Sequence, residues 1–237
     1  MTMLPVAILA GGLATRLRPI TERVPKALLE VAGRPFIFHQ LDLLTRQGIE
    51  RVVLCVGYLG EEVRAVVGDG RAHGLAVDYS FDGSVPLGTG GALACAIPKL
   101  GDRFFVLYGD SYLPCSFRDI QAAFEASDQP AMMTVMHNKN RWEVSNVLFK
   151  AGQILMYNKR VANGDMEHVD YGLSVLSASV FEECPRDRAF DLAEVLETLA
   201  SRSMLGGYEV FERFYEIGSR RGITDTEAFL RSREGVR

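Results

Sequence analysis

Apolar residues in this chain fall into short runs that alternate with amphipathic stretches. Leu4 to Leu9 is a run with the length of a strand buried on both faces. Pro35 to Gln47 places Ile37, Leu41 and Leu44 on one helical face and stops at Gly48. Ile49 to Tyr58 predicts a second buried strand, Leu59 to Val67 a short helix ended by Gly68-Asp69-Gly70, and Leu75 to Phe81 a third strand. Arg103 to Leu107 predicts another strand, Phe117 to Phe124 a helix, and Ala131 to His137 a further strand. Beyond Asn138 the texture changes to short alternating strands, at Ser145 to Lys150, Gln153 to Tyr157 and His168 to Leu176. A helix over Phe190 to Leu199 follows, then strands at Gly207 to Val210 and Phe214 to Ile217, and a last helix from Thr224 to Ser232. Strand and helix in alternation predict an α/β fold, Rossmann-like, with a mixed and mostly parallel sheet flanked by helices. No linker divides the chain, so 1–237 reads as a single domain, with a core over 1–138 and a smaller, more antiparallel lobe over 139–237.

In such sheets ligands sit at the carboxyl ends of strands, and there the chemistry-bearing residues gather. Ala10, Gly11 and Gly12 follow the first strand, then Thr15, Arg16 and Arg18, then Pro25-Lys26. Glycines let backbone N–H groups approach an anion closely, and arginine forks suit phosphate oxygens. The set reads as a nucleoside triphosphate cradle. It is neither the P-loop, since no Gly-Lys-Ser/Thr closes it, nor the dinucleotide fingerprint GxGxxG. Gly88-Thr89-Gly90-Gly91 opens a helix with an anion-tolerant N-terminus. Asp110 closes the strand at 103–107, beside Gly109, and suits either a metal or the cap of the next helix.

Composition narrows the field. Of 237 residues, 48% are hydrophobic and 24% charged, as in ordinary globular proteins. A net charge of −4 argues against nucleic acid held by bulk electrostatics. No run approaches the roughly 18 apolar residues of a membrane helix, and no signal peptide is visible, so a cytoplasmic protein is expected. Cys55, Cys95, Cys115 and Cys184 lack metal or disulfide spacing, and Cys55 and Cys95 read as core packing. His39, His73, His137 and His168 show no ligand spacing.

Ala10-Gly11-Gly12-Leu13-Ala14-Thr15-Arg16-Leu17-Arg18-Pro19, followed by Pro25-Lys26, resembles the signature of the sugar-1-phosphate nucleotidylyltransferases. Ala14 departs from the usual glycine. The resemblance implies the nucleotide-diphospho-sugar transferase fold with a sugar-binding lobe, and transfer of NMP from an NTP to a sugar-1-phosphate with pyrophosphate leaving. It implies that Ala10, Gly11, Gly12, Thr15, Gly88, Gly90 and Gly91 hold the nucleotide, and that Arg16 and Lys26 are catalytic. Lys159 is expected on the sugar phosphate, with Asp170 and Gly172 against the sugar ring and Arg141 and Asn146 beside it. Asp110 and Glu216 are expected to hold Mg²⁺, Glu216 standing where relatives usually have Asp. Asn158 likewise stands where relatives usually have Glu. Short members resemble guanylyltransferases that activate heptose- or mannose-1-phosphate for surface polysaccharides, while Pro-Lys-Ala-Leu is also shared with phosphocholine and aminophosphonate cytidylyltransferases. A non-catalytic nucleotide-sugar-binding regulator of the same fold is a third reading. Base, acceptor and oligomeric state are open at this stage, and a homo-oligomer is allowed.

Overall fold

The computed structural model describes residues 2–12, 24–160, 164–185 and 188–234. In chain order the strands and helices of the first half are β1 (Val6–Leu9), β2 (Glu30–Val31), β3 (Arg34–Pro35), α1 (Phe36–Arg46), β4 (Arg51–Val56), α2 (Gly60–Val67), β5 (Ala76–Phe81), α3 (Gly88–Leu100), β6 (Arg103–Tyr108), β7 (Ser111–Tyr112) and α4 (Phe117–Glu125). The second half adds β8 (Ala131–His137), β9 (Val147–Lys150), β10 (Gln153–Tyr157), β11 (His168–Ser177), α5 (Leu192–Ser201), β12 (Leu205–Glu209), β13 (Tyr215–Glu216) and α6 (Arg220–Glu234).

Nine strands form one sheet in the order β5-β4-β1-β6-β11-β8-β12-β10-β9. β5, β4, β1 and β6 are mutually parallel, with Val6 opposite Val52 on one side and Phe105 on the other. Beyond β6 the direction changes, and β11 runs antiparallel to both β6 and β8. The antiparallel strands expected after Asn138 therefore extend the same sheet.

Helices cover both faces, which is why the central strands are apolar throughout. Val6 and Ile8 point to one face, with Ile37 and Leu41 of α1, Val63 of α2 and Phe117 and Ile120 of α4. Ala7 points to the other, with Leu93 and Ala96 of α3 and Leu196 and Leu199 of α5. This is the alternation of a strand seen from both sides. A third cluster ties α6 to the small strands through Leu230, Ile217 and Tyr112, packed with Val31 and Phe36.

The chain leaves β1 toward β4 on one side, while β6 lies on the other, so connections diverge at the β1–β6 boundary. Ligands are expected in the crevice at such a reversal. Gly109 makes the crevice close-fitting. Its N–H donates to the Leu9 carbonyl at 2.9 Å, and a Cβ there would stand 2.7 Å from that oxygen and 3.0 Å from the Ala10 Cα. Backbone, unlike a side-chain tip, cannot step aside cheaply. We expect Gly109→Ala to cost about 2 kcal/mol, a fall of roughly 4–8 °C in melting temperature by calorimetry. An unchanged transition would mean that the two strand ends are not held at this spacing.

Candidate active site

Two cavities open at the β1–β6 crevice and meet along a shared edge of Lys26, Tyr108 and Asp110. One, of about 350 Å³, is lined by Ala10, Gly11, Gly12, Asp82, Gly88 and Asp191 among others. Its neighbour, of about 400 Å³, is lined by Glu143, Lys159, Asp170, Gly172, Phe214 and Glu216 among others.

The shared edge is built from three separate parts of the chain. Pro25, with φ −54° and ψ 140°, starts a single 3-10 turn over Lys26–Leu28, closed by the Leu28 N–H donating to the Pro25 carbonyl at 2.9 Å. Lys26 leaves this turn toward Asp110, and Nζ lies 2.5 Å from Oδ2. Their side chains are 19% and 33% exposed, so the pair is partly shielded from water. Buried Gln40 of α1 fixes the Asp110 turn from behind, its amide donating to the Tyr108 carbonyl at 3.0 Å and the Ser111 carbonyl at 2.7 Å.

β13 lies antiparallel to β7, with Glu216 opposite Ser111, and the Ile217 N–H donates to the Asp110 carbonyl at 2.9 Å. This register carries Glu216 to Asp110 across the tertiary structure. The Glu216 carboxylate accepts from the Gly218 N–H and from the Ser219 hydroxyl at 2.7 Å. A Cβ on Gly218 would meet Glu216 Oε2 at 2.7 Å, Lys26 Nζ at 3.1 Å and Asp110 Oδ2 at 3.5 Å, so both carboxylates and the ammonium converge on this bare Cα. Among the described residues no group of three or more His, Cys, Asp or Glu side chains could hold a metal ion. Two carboxylates fit Mg²⁺, which keeps waters and takes its remaining oxygens from substrate phosphates. The Glu216 carboxylate folds back onto Gly218 and Ser219.

In the larger cavity Asp170, its side chain only 6% exposed, is an internal hub. It accepts from the Tyr157 hydroxyl at 2.9 Å and the Gly172 N–H at 3.0 Å, and lies 3.5 Å from Lys159 Nζ. Lys159 also donates to the Tyr108 hydroxyl at 3.2 Å. Burial pulls the Lys159 ammonium down, but the Asp170 carboxylate and Tyr108 outweigh it and hold the group above its ordinary value. The lysine stays charged and is held in place. Glu143 enters the same cavity from the segment after β8, and its carboxyl is raised by burial and by Glu216, Asp170 and Asp110.

In the smaller cavity, Gly88 has φ +73°, and a Cβ on it would collide with the Phe190 backbone. Gly90 and Gly91 donate their N–H groups to the Phe190 carbonyl at 3.0 and 3.3 Å. Thr89 accepts the Leu192 N–H at 2.8 Å. Gly88 and Thr89 line the cavity, whereas Gly90 makes room for the Phe190 ring at the segment that opens α5 and Gly91 makes room for the Leu87 side chain. Asp82, at the carboxyl end of β5, lies near Gly11 and Gly57. Desolvation raises its carboxyl, partly countered by a backbone bond from Leu87.

The structure thus gathers Ala10, Gly11, Gly12, Lys26, Gly88, Asp110, Lys159, Asp170, Gly172 and Glu216 around one crevice. Thr15 and Arg16 lie outside the described residues. Asn146 also lines the larger cavity, and its side-chain oxygen accepts the Asp170 N–H at 2.9 Å. Sequence reasoning missed Asp82, although the strand-end argument that selects Asp110 selects it equally; Gln40 and Glu143 carry no such signal. Cys55 is buried and its thiol is pushed up to about 12 by burial. The expectation of core packing fails for Cys95, which is exposed because it lies on the outer side of α3. His39 is buried with its ring 2.8 Å from the Val31 carbonyl, and His73 pairs with Asp42, so both are structural.

Comparison with known proteins bears on the family and the fold. The nucleotidyl transferase family model matches residues 6–146. A glucose-1-phosphate thymidylyltransferase of Streptomyces griseus is 33% identical over 178 residues, 74% of this chain and 50% of that protein. A mannose-1-phosphate guanylyltransferase of Mycobacterium tuberculosis is 30% identical over 196 residues, 76% of this chain and 51% of that protein. The chain thus spans about half the length of these curated relatives. The crystal structure of HddC from Yersinia pseudotuberculosis, complexed with GMP-PN, has the same fold, with a TM-score of 0.81 and 22% identity over 96% of this chain and 100% of that one. A family match across more than half of the sequence, in a chain that brings its glycine loop, Lys26 and Asp110 to one crevice, places this protein in the nucleotidyl transferase family.

Proposed function

We propose that this chain transfers a nucleoside monophosphate from a nucleoside triphosphate to a sugar-1-phosphate, releasing pyrophosphate and forming a nucleotide sugar for surface glycans. The observation that carries this reading is the pair of cavities sharing the Lys26–Asp110 edge. A nucleotide in one and a sugar phosphate in the other meet at that edge. Relatives named for glucose-1-phosphate, mannose-1-phosphate and low-salt glycan biosynthesis support the substrate class.

The acceptor phosphate is already an anionic oxygen nucleophile, so the reaction needs alignment and charge neutralisation rather than a general base. Like unit charges 4 Å apart repel by about 4 kcal/mol at an effective dielectric of 20. Lys159, held charged by Asp170, meets the incoming sugar phosphate from one side. Lys26 meets the α-phosphate from the other and stabilises the charge that develops there. Asp110 and Glu216 would hold Mg²⁺, which when bound supplies Lewis-acid neutralisation of phosphate oxygens. Gly11, Gly12, Thr15 and Arg16 would cradle the triphosphate, and the attack is in line with the leaving pyrophosphate. Among the described residues no helix is long and apolar enough to cross a membrane.

Asp82 favours guanine as the base. A carboxylate accepts from guanine N1–H and the 2-amino group together, whereas uracil and thymine offer one N3–H flanked by carbonyls, and cytosine or adenine one amino group beside an acceptor ring nitrogen. The guanine-nucleotide complex of HddC is in keeping with this choice.

Pyrophosphate release should be measured with each of the four ribonucleoside triphosphates against mannose-1-phosphate, glucose-1-phosphate and phosphocholine, with and without Mg²⁺. Metal-dependent release from GTP and a sugar phosphate is expected; tight nucleotide-sugar binding with no release would replace the enzyme reading by a sensor. Asp110→Asn and Lys26→Ala should each lower kcat at least about 100-fold, while isothermal titration still detects the nucleotide; retention of full kcat in both would remove the shared edge from the chemistry. Asp82→Asn should lower kcat/KM for GTP by about 10–100-fold relative to the other triphosphates. An unaltered preference would place base selection elsewhere.

A further inference from the structure

Glu143 has no place in the chemistry described above, yet its carboxylate lines the acceptor cavity. Among the described residues this carboxylate makes no hydrogen bond or ion pair, the only bond to Glu143 being to its backbone carbonyl. Lys159, by contrast, is paired with Asp170, and Asp110 with Lys26. An acceptor-capable group without a protein partner, in a cavity wall, is a group available to a ligand.

The segment that carries Glu143 is locked internally. The Asn138 amide donates to the Glu143 carbonyl at 2.6 Å, the Trp142 N–H returns to Asn138 Oδ1 at 3.0 Å, and Ser145 and Asn140 exchange bonds at 2.7 and 3.1 Å. Asn138 and Ser145 are both buried. A layered stack then fastens it to the other wall. The Arg213 guanidinium lies 4.0 Å from the Trp142 ring centre and 5.0 Å from that of Tyr215. Tyr215 stacks on Phe229 of α6 with ring centres 3.9 Å apart, and Arg213 is pinned by Asp225 of the same helix at 2.6 Å. Arg213 Nε is buried with no hydrogen-bond partner, so the guanidinium sits there through stacking and one ion pair. Tyr215 directly precedes Glu216. One arginine therefore joins the segment bearing Glu143 to the strand bearing Glu216.

We propose that Glu143 is a specificity-determining residue that accepts hydrogen bonds from hydroxyl groups of the acceptor sugar, and that Arg213, clamped between Trp142 and Tyr215, is the positioning residue that holds it there. This rests on the reading of the larger cavity as the acceptor site. A carboxylate binds two neighbouring hydroxyls at once, and the phosphate of the same ligand is met elsewhere, by Lys159. Glu143 thus reads the part of the acceptor that distinguishes one sugar phosphate from another.

The chain contains one tryptophan, Trp142, so its emission reports on this stack alone. The test titrates mannose-1-phosphate, glucose-1-phosphate, inorganic phosphate, phosphocholine and GTP into the full chain while reading that emission, with calorimetry in parallel. Glu143→Gln is expected to weaken sugar-phosphate binding about tenfold while leaving inorganic phosphate and GTP within twofold. Arg213→Leu should reproduce the sugar-phosphate loss and red-shift the free protein's emission, and Arg213→Lys should recover most of both. The proposal is overturned by sugar-phosphate affinity unchanged in Glu143→Gln, by equal losses for inorganic phosphate, or by phosphocholine being the ligand that depends on Glu143. Equal losses for GTP and sugar phosphate in Arg213→Leu would remove the positioning role. A wild-type chain that binds mannose-1-phosphate but releases no pyrophosphate from any triphosphate fails the transferase reading and leaves this inference standing. One that binds neither sugar phosphate overturns it.

Discussion

The Lys26–Asp110 ion pair is the constraint around which the rest of the molecule is arranged. Its two members are 84 positions apart, and each is delivered by a different device. Lys26 comes from a proline-started turn and Asp110 from the end of a buried strand. Gln40 stiffens the strand end, and β13 closes over it. A partly buried ion pair is weak evidence of stability, because desolvation offsets much of the attraction. Its value here is positional: a cation and a carboxylate stand at the boundary of two cavities, ready to be redistributed when polyanions and a divalent ion arrive.

The two cavities differ in character. The smaller is bounded by backbone, glycines and Asp82, suited to a flat base and its ribose. The larger is a polar chamber where four carboxylates, Asp110, Glu143, Asp170 and Glu216, face two ammonium groups. That balance is intelligible only if some carboxylates are already occupied. Asp170 is consumed by Tyr157, Gly172 and Lys159; Asp110 and Glu216 fit a divalent ion; Glu143 is left for the neutral hydroxyl groups of the proposed acceptor. A charge count of the chamber alone would misread it as a site for cations.

Much of this was legible in the sequence. The alternation of apolar runs and helical faces fixes the strands of the sheet because their burial on both sides leaves a local signature. The crevice was legible for the same reason, since Gly11, Gly12 and Asp110 sit at strand ends. What local pattern does not carry is pairing across the chain. Gly90 looks like a ligand-facing glycine, and in the fold its bare Cα also accommodates the Phe190 ring, a hundred residues on. Asp170 lines the larger cavity, but its bonds to Tyr157, Gly172 and Lys159 carry no local sequence signal. Arg213 looks like a surface charge, and its role depends on the register of β13 against β7 and on the seat of α6. Glu143 has no motif at all; only the internally bonded segment from Asn138 to Ser145 delivers it.

The wall of the nucleotide cavity at Gly88 and Thr89 is completed by Phe190, Asp191 and Leu192. Its two halves are thus synthesised far apart in time. A domain emerging from the ribosome, at about 5–20 residues per second, must display the glycine loop and the opening of α3 for several seconds before their partner segment exists. During that interval the helix lacks the carbonyl that receives the Gly90 and Gly91 N–H groups. This cavity is therefore completed late, when the start of α5 docks against the start of α3.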